Sequence, residues 1–404
     1  MVETRPTVLV VGAGVLQVPA IERARARGYR VVAVDRNPNA PGFAFAHVAV
    51  PMSTRDVRAV VQLARAEQVD GVLTVGSDAA LAAVRAAAGA LGLVGPSSHA
   101  VDLACDKAAQ WALFQKLGGA RRRAVSGDSL GEVADAAGAM GSPVVVKPVD
   151  GAGGRGSSVV RSAEALGKAV AQALRCSGVG RVLVEEFVEG SDHTAEVLVV
   201  DGERCFGVIT DKELGPPGLV PREHVVPTAL SVEDQEAVWG LVDALCREVG
   251  IRQGPLDIDF KMAPEGPELL EFAPRLGGNE LPRLLQRATG IDLVDWALDV
   301  ALGLPVQSAE YAVRPAAVRI LFTAWTGLVV EVPEARDEGD QSAEVVWDVA
   351  PGDRVREVTC SADRVGYVLA EGATAEEARA QVRSAASRCE GALKVQPGRP
   401  GPTE

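Results

Sequence analysis

The chain has 404 residues, of which 47% are hydrophobic, and its formal net charge is −13. This length provides apolar material for about two to four globular units. The acidic balance argues against nucleic acid as a partner, because phosphate backbones bind basic surfaces. The polar N-terminus leads directly into a predicted strand, and no apolar run approaches the length of a membrane span. We therefore expect a cytoplasmic protein with no signal peptide and no membrane contact.

Cysteine and lysine usage narrows the possible chemistry. The six cysteines are scattered, with no Cys-x-x-Cys pair and no cluster with the four histidines, so zinc and iron–sulfur sites are not expected. Only seven of the 41 basic residues are lysine. A lysine inside a motif is therefore worth attention. The seven are Lys107, Lys116, Lys147, Lys168, Lys212, Lys261 and Lys394.

The first hundred residues alternate between predicted strands at residues 8–11, 29–34 and 71–75 and predicted helices at 18–27, 55–67 and 79–91. Such alternation indicates a parallel sheet covered by helices on both faces. Gly12-Ala13-Gly14 and Asp35 are similar to a dinucleotide-binding fingerprint, but Gln17 stands where a third glycine should be. A Rossmann-like sheet without nicotinamide is favoured, and an NAD-dependent oxidoreductase stays an alternative.

The rest of the chain divides into three further parts. A predicted helix at residues 102–117 leads to a small unit with strands near residues 143–147, 158–160 and 181–187 and a helix at 163–174. Longer strands follow at 195–200, 205–210, 256–262 and 268–272, with helices at 232–249, 281–288 and 293–302. The last part has strands at 317–322, 344–349, 354–358 and 365–371, a helix at 375–388, and a tail from Gln396 that we expect to be disordered. The expected boundaries are residues 1–105, 106–192, 193–305 and 306–404.

A glycine-rich loop between two β-branched strands begins just after Lys147. Glycines allow backbone N–H groups to approach phosphate oxygens, Ser157 and Ser158 add hydroxyl donors, and Lys147 adds a compact positive charge. The lysine precedes the glycines and no helix follows them, so the loop is not a Walker loop. It predicts a bound nucleoside triphosphate, against the alternative of a plain hairpin loop.

Two acidic residues lie in a predicted hairpin between residues 256 and 272. Symmetric pairing about Glu265 sets Asp259 opposite Glu271. Like charges in that position are unfavourable unless something lies between them, and Mg²⁺ suits a site with two carboxylates and substrate phosphates. The alternative is a pair of acids on a solvated strand face.

The order of these motifs resembles the ATP-grasp superfamily over about residues 5–305. It comprises Asp106-Lys107, Pro143-Val-Val-Val-Lys147 with its glycine loop, Glu185-Glu-Phe-Val-Glu-Gly190, Asp259, and Glu271-Phe-Ala-Pro-Arg275-Leu-Gly-Gly278. The tail from residue 306 is similar to the C-terminal region of carboxylate–amine ligases of the L-amino acid ligase type. The resemblance implies an α/β and α+β fold: a Rossmann-like pre-ATP-grasp domain, a lid, a large subdomain with the metal site, and a C-terminal α+β region.

The resemblance also implies roles for individual residues in binding ATP and Mg²⁺. Asp259 and Glu271 would be magnesium ligands, and Arg275 and Lys212 would act on the transferred phosphoryl group. The remaining implied residues would contact ATP: Lys107, Lys147, Gly153, Gly154, Ser157, Ser158, Glu185, the backbone of Glu186 and Val188, and Asp192. Ala273 departs from the family pattern, which commonly places an asparagine there, so the number of metal ions stays open.

The implied activity is ATP-dependent ligation of a small carboxylic acid to an amine through an acyl phosphate, with amino acids as expected substrates and a homodimer as the expected assembly. A purine-pathway or carbamoyl-phosphate-type synthetase is the nearest alternative. An NAD-dependent oxidoreductase and a nucleotide-binding regulator without activity are more distant ones.

Overall fold

The computed structural model describes residues 5–215, 219–306, 309–334 and 343–398. Its N-terminal part is a four-stranded parallel sheet in the order β3-β2-β1-β4. Strand residues 8–11 and 31–34 are wholly buried between helices, as the β-branched runs predict. The elements are β1 Thr7–Val11, α1 Val18–Ala26, β2 Arg30–Asp35, β3 Val48–Pro51, α2 Val57–Ala66, β4 Gly71–Leu73 and α3 Leu81–Leu91.

The glycine loop after β1 is closed by the chain's own side chains. The N–H of Ala13 donates to Asp35 Oδ2 at 3.0 Å, and the N–H of Gly14 donates to Gln17 Oε1 at 3.0 Å. The Gln17 amide donates in turn to the carbonyl of Val75. Two amides that a dinucleotide pyrophosphate would need are thus already engaged.

The single helix predicted for residues 102–117 is wrong. The structure has two helices, α4 Ser98–Ala104 and α5 Lys107–Lys116. Asp106 Oδ1 accepts the N–H groups of Ala108 and Ala109 at 2.9 and 3.1 Å, so it caps a new helix. Lys107 is therefore the first residue of α5.

A second, antiparallel sheet follows in the order β5-β8-β6-β7. Its valines pack against two helices, and its β6–β7 hairpin carries the glycine-rich loop. We call residues 153–158 the lid loop. The elements are β5 Ala124–Gly127, α6 Leu130–Met140, β6 Val144–Pro148, β7 Ser158–Val160, α7 Ala163–Cys176 and β8 Val182–Glu186.

The largest sheet has eight strands in the order β13-β12-β9-β10-β11-β14-β18-β16, all antiparallel. Strands from the third and fourth predicted parts thus share one sheet; the four-part division itself stays a prediction. The elements are β9 Ser191–Val200, β10 Glu203–Gly215, β11 Val220–Val226, α8 Val232–Val249, β12 Gly254–Ala263, β13 Gly266–Ala273, α9 Leu281–Thr289, α10 Leu293–Ala301, β14 Ala316–Leu321, β15 Gly327–Glu331, β16 Ala343–Trp347, β17 Arg354–Val355, β18 Gly366–Glu371, α11 Ala375–Ala392 and β19 Lys394–Pro397.

The C-terminal tail is more ordered than predicted. Gln396 pairs with Leu328, in a small sheet of order β17-β15-β19. Disorder is thus wrong for Gln396 and Pro397, and residues 399–404 lie outside the described part of the chain. None of the helices in the described ranges is both long and apolar enough to cross a bilayer.

The β12–β13 hairpin confirms the predicted pairing of Asp259 with Glu271, although the strands do not pair symmetrically about Glu265. The turn is tight, because Ala263 pairs directly with Gly266. A shift in register next to Asp259 inserts one extra residue, Leu270, into β13. Without this bulge, Asp259 would pair with Leu270 and the two acids would not be opposite each other.

Candidate functional site

The sheet of order β5-β8-β6-β7 carries the lid loop, and we call it the lid sheet. A cavity of about 850 Å³ lies between the lid sheet and the eight-stranded sheet. Ser158 is not part of its lining; it lies at the start of β7, and its Oγ is buried without a hydrogen-bond partner among the described residues. Every other residue of the predicted site lines the cavity. These are Lys107, Lys147, Gly153, Gly154, Ser157, Glu185, Glu186, Val188, Asp192, Lys212, Asp259, Glu271 and Arg275.

A buried charge cluster lies where the lid sheet meets the large sheet. Lys147 on β6 is 2.6 Å from one oxygen of Glu185 on β8, and Arg122 donates to the other at 2.9 Å. Arg122 also contacts Glu268 of the large sheet at 3.2 Å. Burial acts to raise the pKa of Glu185, but the charges of Lys147 and Arg122 lower it to about 2. Burial lowers the pKa of Lys147, and the charge of Glu185 opposes this shift. Glu185 is therefore held as an anion and positions Lys147 in the cavity wall.

The paired acids of the hairpin each have a lysine partner. Lys212 on β10 lies 2.6 Å from Asp259, and the Thr194 hydroxyl donates to the same carboxylate at 2.6 Å. Lys107 at the start of α5 bonds Glu271. Burial acts to lower the pKa of Lys107, but the charge of Glu271 raises it. Burial likewise acts to raise the pKa of Asp259, and Lys212 lowers it. Asp259 is thus held as an anion, and Glu271 lies beside the charge of Lys107.

This arrangement fits a divalent cation shared with phosphate oxygens. Asp259 and Glu271 present oxygen ligands side by side in the cavity wall, and each is about one-third exposed, at 34% and 31%. No group of three or more acidic, histidine or cysteine side chains suited to a metal occurs in the described ranges. Mg²⁺ accepts such a sparse set, because it commonly takes one or two carboxylates with substrate phosphates and water. Ala273 offers no ligand, while Asn279 lines the same cavity.

The predicted adenine strand reaches the cavity at the end of β8. The Glu186 carboxylate is engaged by Arg123, whose Nε donates to it at 2.8 Å, and the N–H of Glu186 donates to the carbonyl of Arg123 at 3.0 Å. Of the polar groups of Glu186, the backbone carbonyl is therefore the one that could meet a base. Val188 follows in the cavity lining. Asp192 accepts a hydrogen bond from Lys261 at 2.8 Å, a partner that the sequence reading did not identify.

Arg275 is held by two acids that sequence reasoning missed. Its Nε donates to Asp78 of the N-terminal part at 2.8 Å, and its Nη1 to Asp257 of β12 at 2.5 Å. Burial opposes the charge of Arg275, but these two carboxylates raise its pKa. Because Asp257 lies two residues before Asp259 on one strand, the period of two could have placed them on one face.

A fully buried carboxylate, Glu196 on β9, lies directly opposite Asp257. Its two oxygens accept the N–H of Gly277 at 3.0 and 3.1 Å. Burial, and then the charge of Asp257, raises the pKa of Glu196 well above its usual range. Burial also raises the pKa of Asp257 to about 6, against the charge of Arg275. This pair favours holding a proton.

Two family profiles match the chain. The profile described as carbamoyl-phosphate synthase L chain, ATP binding domain, matches residues 106–309, which is half of the chain. The profile described as L-amino acid ligase C-terminal domain 2 matches residues 319–390. The second match begins within β14 and covers β15 to β18 and most of α11, which contributes Arg379 and Arg383 to the cavity lining.

Curated relatives differ in how much of their length the chain covers. It is 30% identical to the uncharacterised protein y4rH of Sinorhizobium fredii, over 69% of this chain and 59% of that protein. It is 31% identical to carnosine synthase 1 of Gallus gallus over 42% of this chain and 20% of that protein. It is 30% identical to a formate-dependent phosphoribosylglycinamide formyltransferase of Burkholderia pseudomallei, over 94% of each chain. The chain thus spans well under two thirds of the first two.

Solved structures show the same fold. L-amino acid ligase from Bacillus licheniformis superposes with a TM-score of 0.81 at 21% identity, over 98% of this chain and 100% of that one. The biotin carboxylase domain of Hydrogenobacter thermophilus 2-oxoglutarate carboxylase, crystallised with MgADP and bicarbonate, gives a TM-score of 0.75 at 18% identity, over 96% and 90%.

These matches confirm the predicted fold class and superfamily. The family uses ATP with Mg²⁺, and the cavity wall carries the lysines and paired acids that such a ligand set needs. The chain therefore belongs to the ATP-grasp ligases, in the family of the carbamoyl-phosphate synthase ATP-binding domain, with a C-terminal domain of the L-amino acid ligase type.

Proposed function

We propose that the protein is an ATP-dependent carboxylate–amine ligase that joins amino acids, or similar small acids, to an amine. One observation carries the proposal: Asp259 and Glu271 lie side by side in a cavity wall, each beside a lysine, with Arg275 lining the same cavity. A metal–triphosphate complex needs the acids and lysines, and a developing acyl phosphate needs a fixed cation.

The proposed reaction overcomes the poor reactivity of a carboxylate. Transfer of the γ-phosphoryl group from ATP to the acid gives an acyl phosphate, and the amine then displaces phosphate to form an amide. Lys107, Lys147 and Lys212 would neutralise phosphate charge, and Mg²⁺ held by Asp259 and Glu271 would supply a Lewis acid. The lid loop would exclude water from the acyl phosphate.

Amino-acid substrates are supported by the C-terminal part of the chain. The L-amino acid ligase profile includes Arg379 and Arg383, which line the cavity, and Arg383 contacts Glu213 there. The names of two relatives, an L-amino acid ligase and a carnosine synthase, also refer to joining amino acids. A homodimer in the cytoplasm is part of the same proposal.

A purine-pathway or carbamoyl-phosphate-type reaction is the second candidate. The formyltransferase relative supports it, because the match covers 94% of both chains. The closed glycine loop speaks against it, since the amides of Ala13 and Gly14 that could bind a substrate phosphate are engaged by Asp35 and Gln17.

The direct test is a coupled assay of ADP release with Mg²⁺ and pairs of amino acids, followed by the mass of the product. Release that requires an acid and an amine together supports the ligase. Release with formate or bicarbonate supports the second candidate. Release that is independent of any acid, or no release at all, supports a nucleotide-binding protein without ligase activity and sinks the proposal.

Lys147→Ala gives a sharper test of the phosphate site. We expect ADP release to fall by about 10²-fold, because a fixed charge facing the phosphates is lost. The fold should persist, since Arg122 still neutralises Glu185 at 2.9 Å. Lys168→Ala, which removes an exposed lysine from α7 of the same lid, is the matched control. Full activity in Lys147→Ala with an unchanged melting temperature would contradict the role of this lysine.

A further inference from the structure

The tip of the lid loop lies against two segments that are distant in sequence. The N–H of Ser361 donates a hydrogen bond to the carbonyl of Gly153 at 3.0 Å. A Cβ added to Gly154 would lie 3.2 Å from the carbonyl oxygen of Leu219, so this approach is close as well. The C-terminal region thus provides a surface on which the lid loop rests.

The donor on Ser361 is free for this contact because of where it lies in a helical turn. Residues Ser361–Asp363 form a short 3-10 helix capped by Cys360. The first N–H groups of a helix have no acceptor within it. Asp363 accepts the N–H of Thr359 at 2.8 Å and that of Cys360 at 3.0 Å. The Ser361 N–H points instead to the lid.

Arg364, which ends the same turn, links it to the segment that begins at Arg275. Arg364, which is only 4% exposed, lies 3.0 Å from Glu280 and 2.6 Å from Asp348. Glu280 directly follows Asn279 of the cavity lining. A rigid turn therefore connects the tip of the lid loop with the segment that begins at Arg275.

We propose that the backbone N–H of Ser361 is a positioning group that holds the lid loop closed during turnover. It acts through the Gly153 carbonyl, and its effect is to keep water away from the acyl phosphate. The inference rests on the proposed ligase function for its chemical readout. It assigns to the C-terminal domain a part in closing the active site.

One substitution isolates this hydrogen bond. Ser361→Pro removes the N–H and suits the first position of a helical turn, where the fixed φ of proline is tolerated. Cys360 is already extended, with φ −156° and ψ 170°, which is the conformation that a following proline requires. Ser361→Ala keeps the N–H and removes only the hydroxyl, so it is the matched control.

We expect Ser361→Pro to raise the ratio of ADP released to amide formed by about two- to tenfold, because one hydrogen bond of the closed state is lost. Ser361→Ala should match the unsubstituted protein. An unchanged ratio in a folded Ser361→Pro protein would overturn the inference. A purely structural role would lower both rates together and leave the ratio unchanged.

Hydrogen exchange on the unsubstituted protein tests the same contact without any variant. The non-hydrolysable analogue AMP-PNP with Mg²⁺ should slow exchange in the lid loop and at the Ser361 amide together. Protection of the lid loop without protection of the Ser361 amide would overturn the proposed role of Ser361 and leave the ligase proposal intact. If Lys107, Lys147 and the lid loop all show no protection, the nucleotide site itself is overturned, and the proposed role of Ser361 is overturned with it.

Discussion

In each of two pairs of acidic residues, the two members lie opposite each other on neighbouring strands of the large sheet. The two pairs differ in their exposure and in the cations beside them. The outer pair, Asp259 and Glu271, is about one-third exposed, and each member has its own lysine. The inner pair, Asp257 and Glu196, shares one arginine and one N–H, and Glu196 is fully buried. The outer pair, in which each acid lies beside a lysine, suits a metal, whereas the inner pair favours holding a proton.

The comparison shows that cross-strand pairing of like charges does not by itself make a metal site. Both pairs have the same backbone register relation, on opposite sides of β12. The difference lies in exposure and in the number of nearby cations, because burial favours the neutral form of a carboxyl group unless enough counter-charge lies beside it.

The largest effect should come from breaking the outer pair. We expect Asp259→Asn to lower Mg²⁺-dependent ADP release by about 10²- to 10³-fold, because a metal ligand that stabilises the phosphoryl transition state is lost. Steady-state ADP release at several Mg²⁺ concentrations measures the effect. Glu265→Gln, in the exposed turn of the same hairpin, should be unchanged. Equal activity in both variants would show that the outer pair binds no metal.

A smaller effect should follow from crowding the inner pair. A Cβ added to Gly277 would lie 2.6 Å from Glu196 Oε2 and 3.2 Å from Asp257 Oδ1. We expect Gly277→Ala to reduce the free energy of unfolding by ~1–3 kcal/mol, because buried groups must move. Gly138→Ala in α6, where a Cβ meets nothing within 4 Å, is the control for chemical denaturation. Equal unfolding midpoints for the two variants would mean that Glu196 and Asp257 move aside without a measurable loss of stability.

The smallest effect concerns the proton on the inner pair. Because the pKa of Glu196 is raised in the folded state, its carboxyl group disfavours folding increasingly as the pH rises above the unfolded value near 4.3. Glu196→Gln removes this penalty, so we expect it to stabilise the protein by ~1 kcal/mol at pH 8 and by less at pH 5. Thermal melts across this range measure the difference.

Glu203→Gln, at the exposed start of β10, is the control for the pH series and should show no such trend. A stability gain from Glu196→Gln that is the same at pH 5 and pH 8 would show that the inner pair holds no proton. The contrast between the two pairs would then lie in exposure alone.

Much of the fold could be predicted from the sequence, because local patterns carry it. The β-branched runs of β1 and β2 predicted a buried parallel sheet, and the strands predicted at 195–200 and 205–210 correspond to β9 and β10. The helix across Asp106 was predicted wrongly, since an N-cap inside a helical pattern competes with continued periodicity. Strands β3, β5, β11, β15 and β19 were not predicted, because they are short or uneven in pattern.

The amino-acid sequence by itself determined the ordered set of lysines, glycines and acids that we propose to bind ATP and Mg²⁺, because each lies in a local motif. Only the tertiary structure decided what each charge does. Asp78, Glu196 and Asp257 carry no motif of their own, and their roles arise from burial and from contacts between distant segments. The contact between the lid loop and Ser361 joins residues more than two hundred positions apart, and no local pattern encodes it.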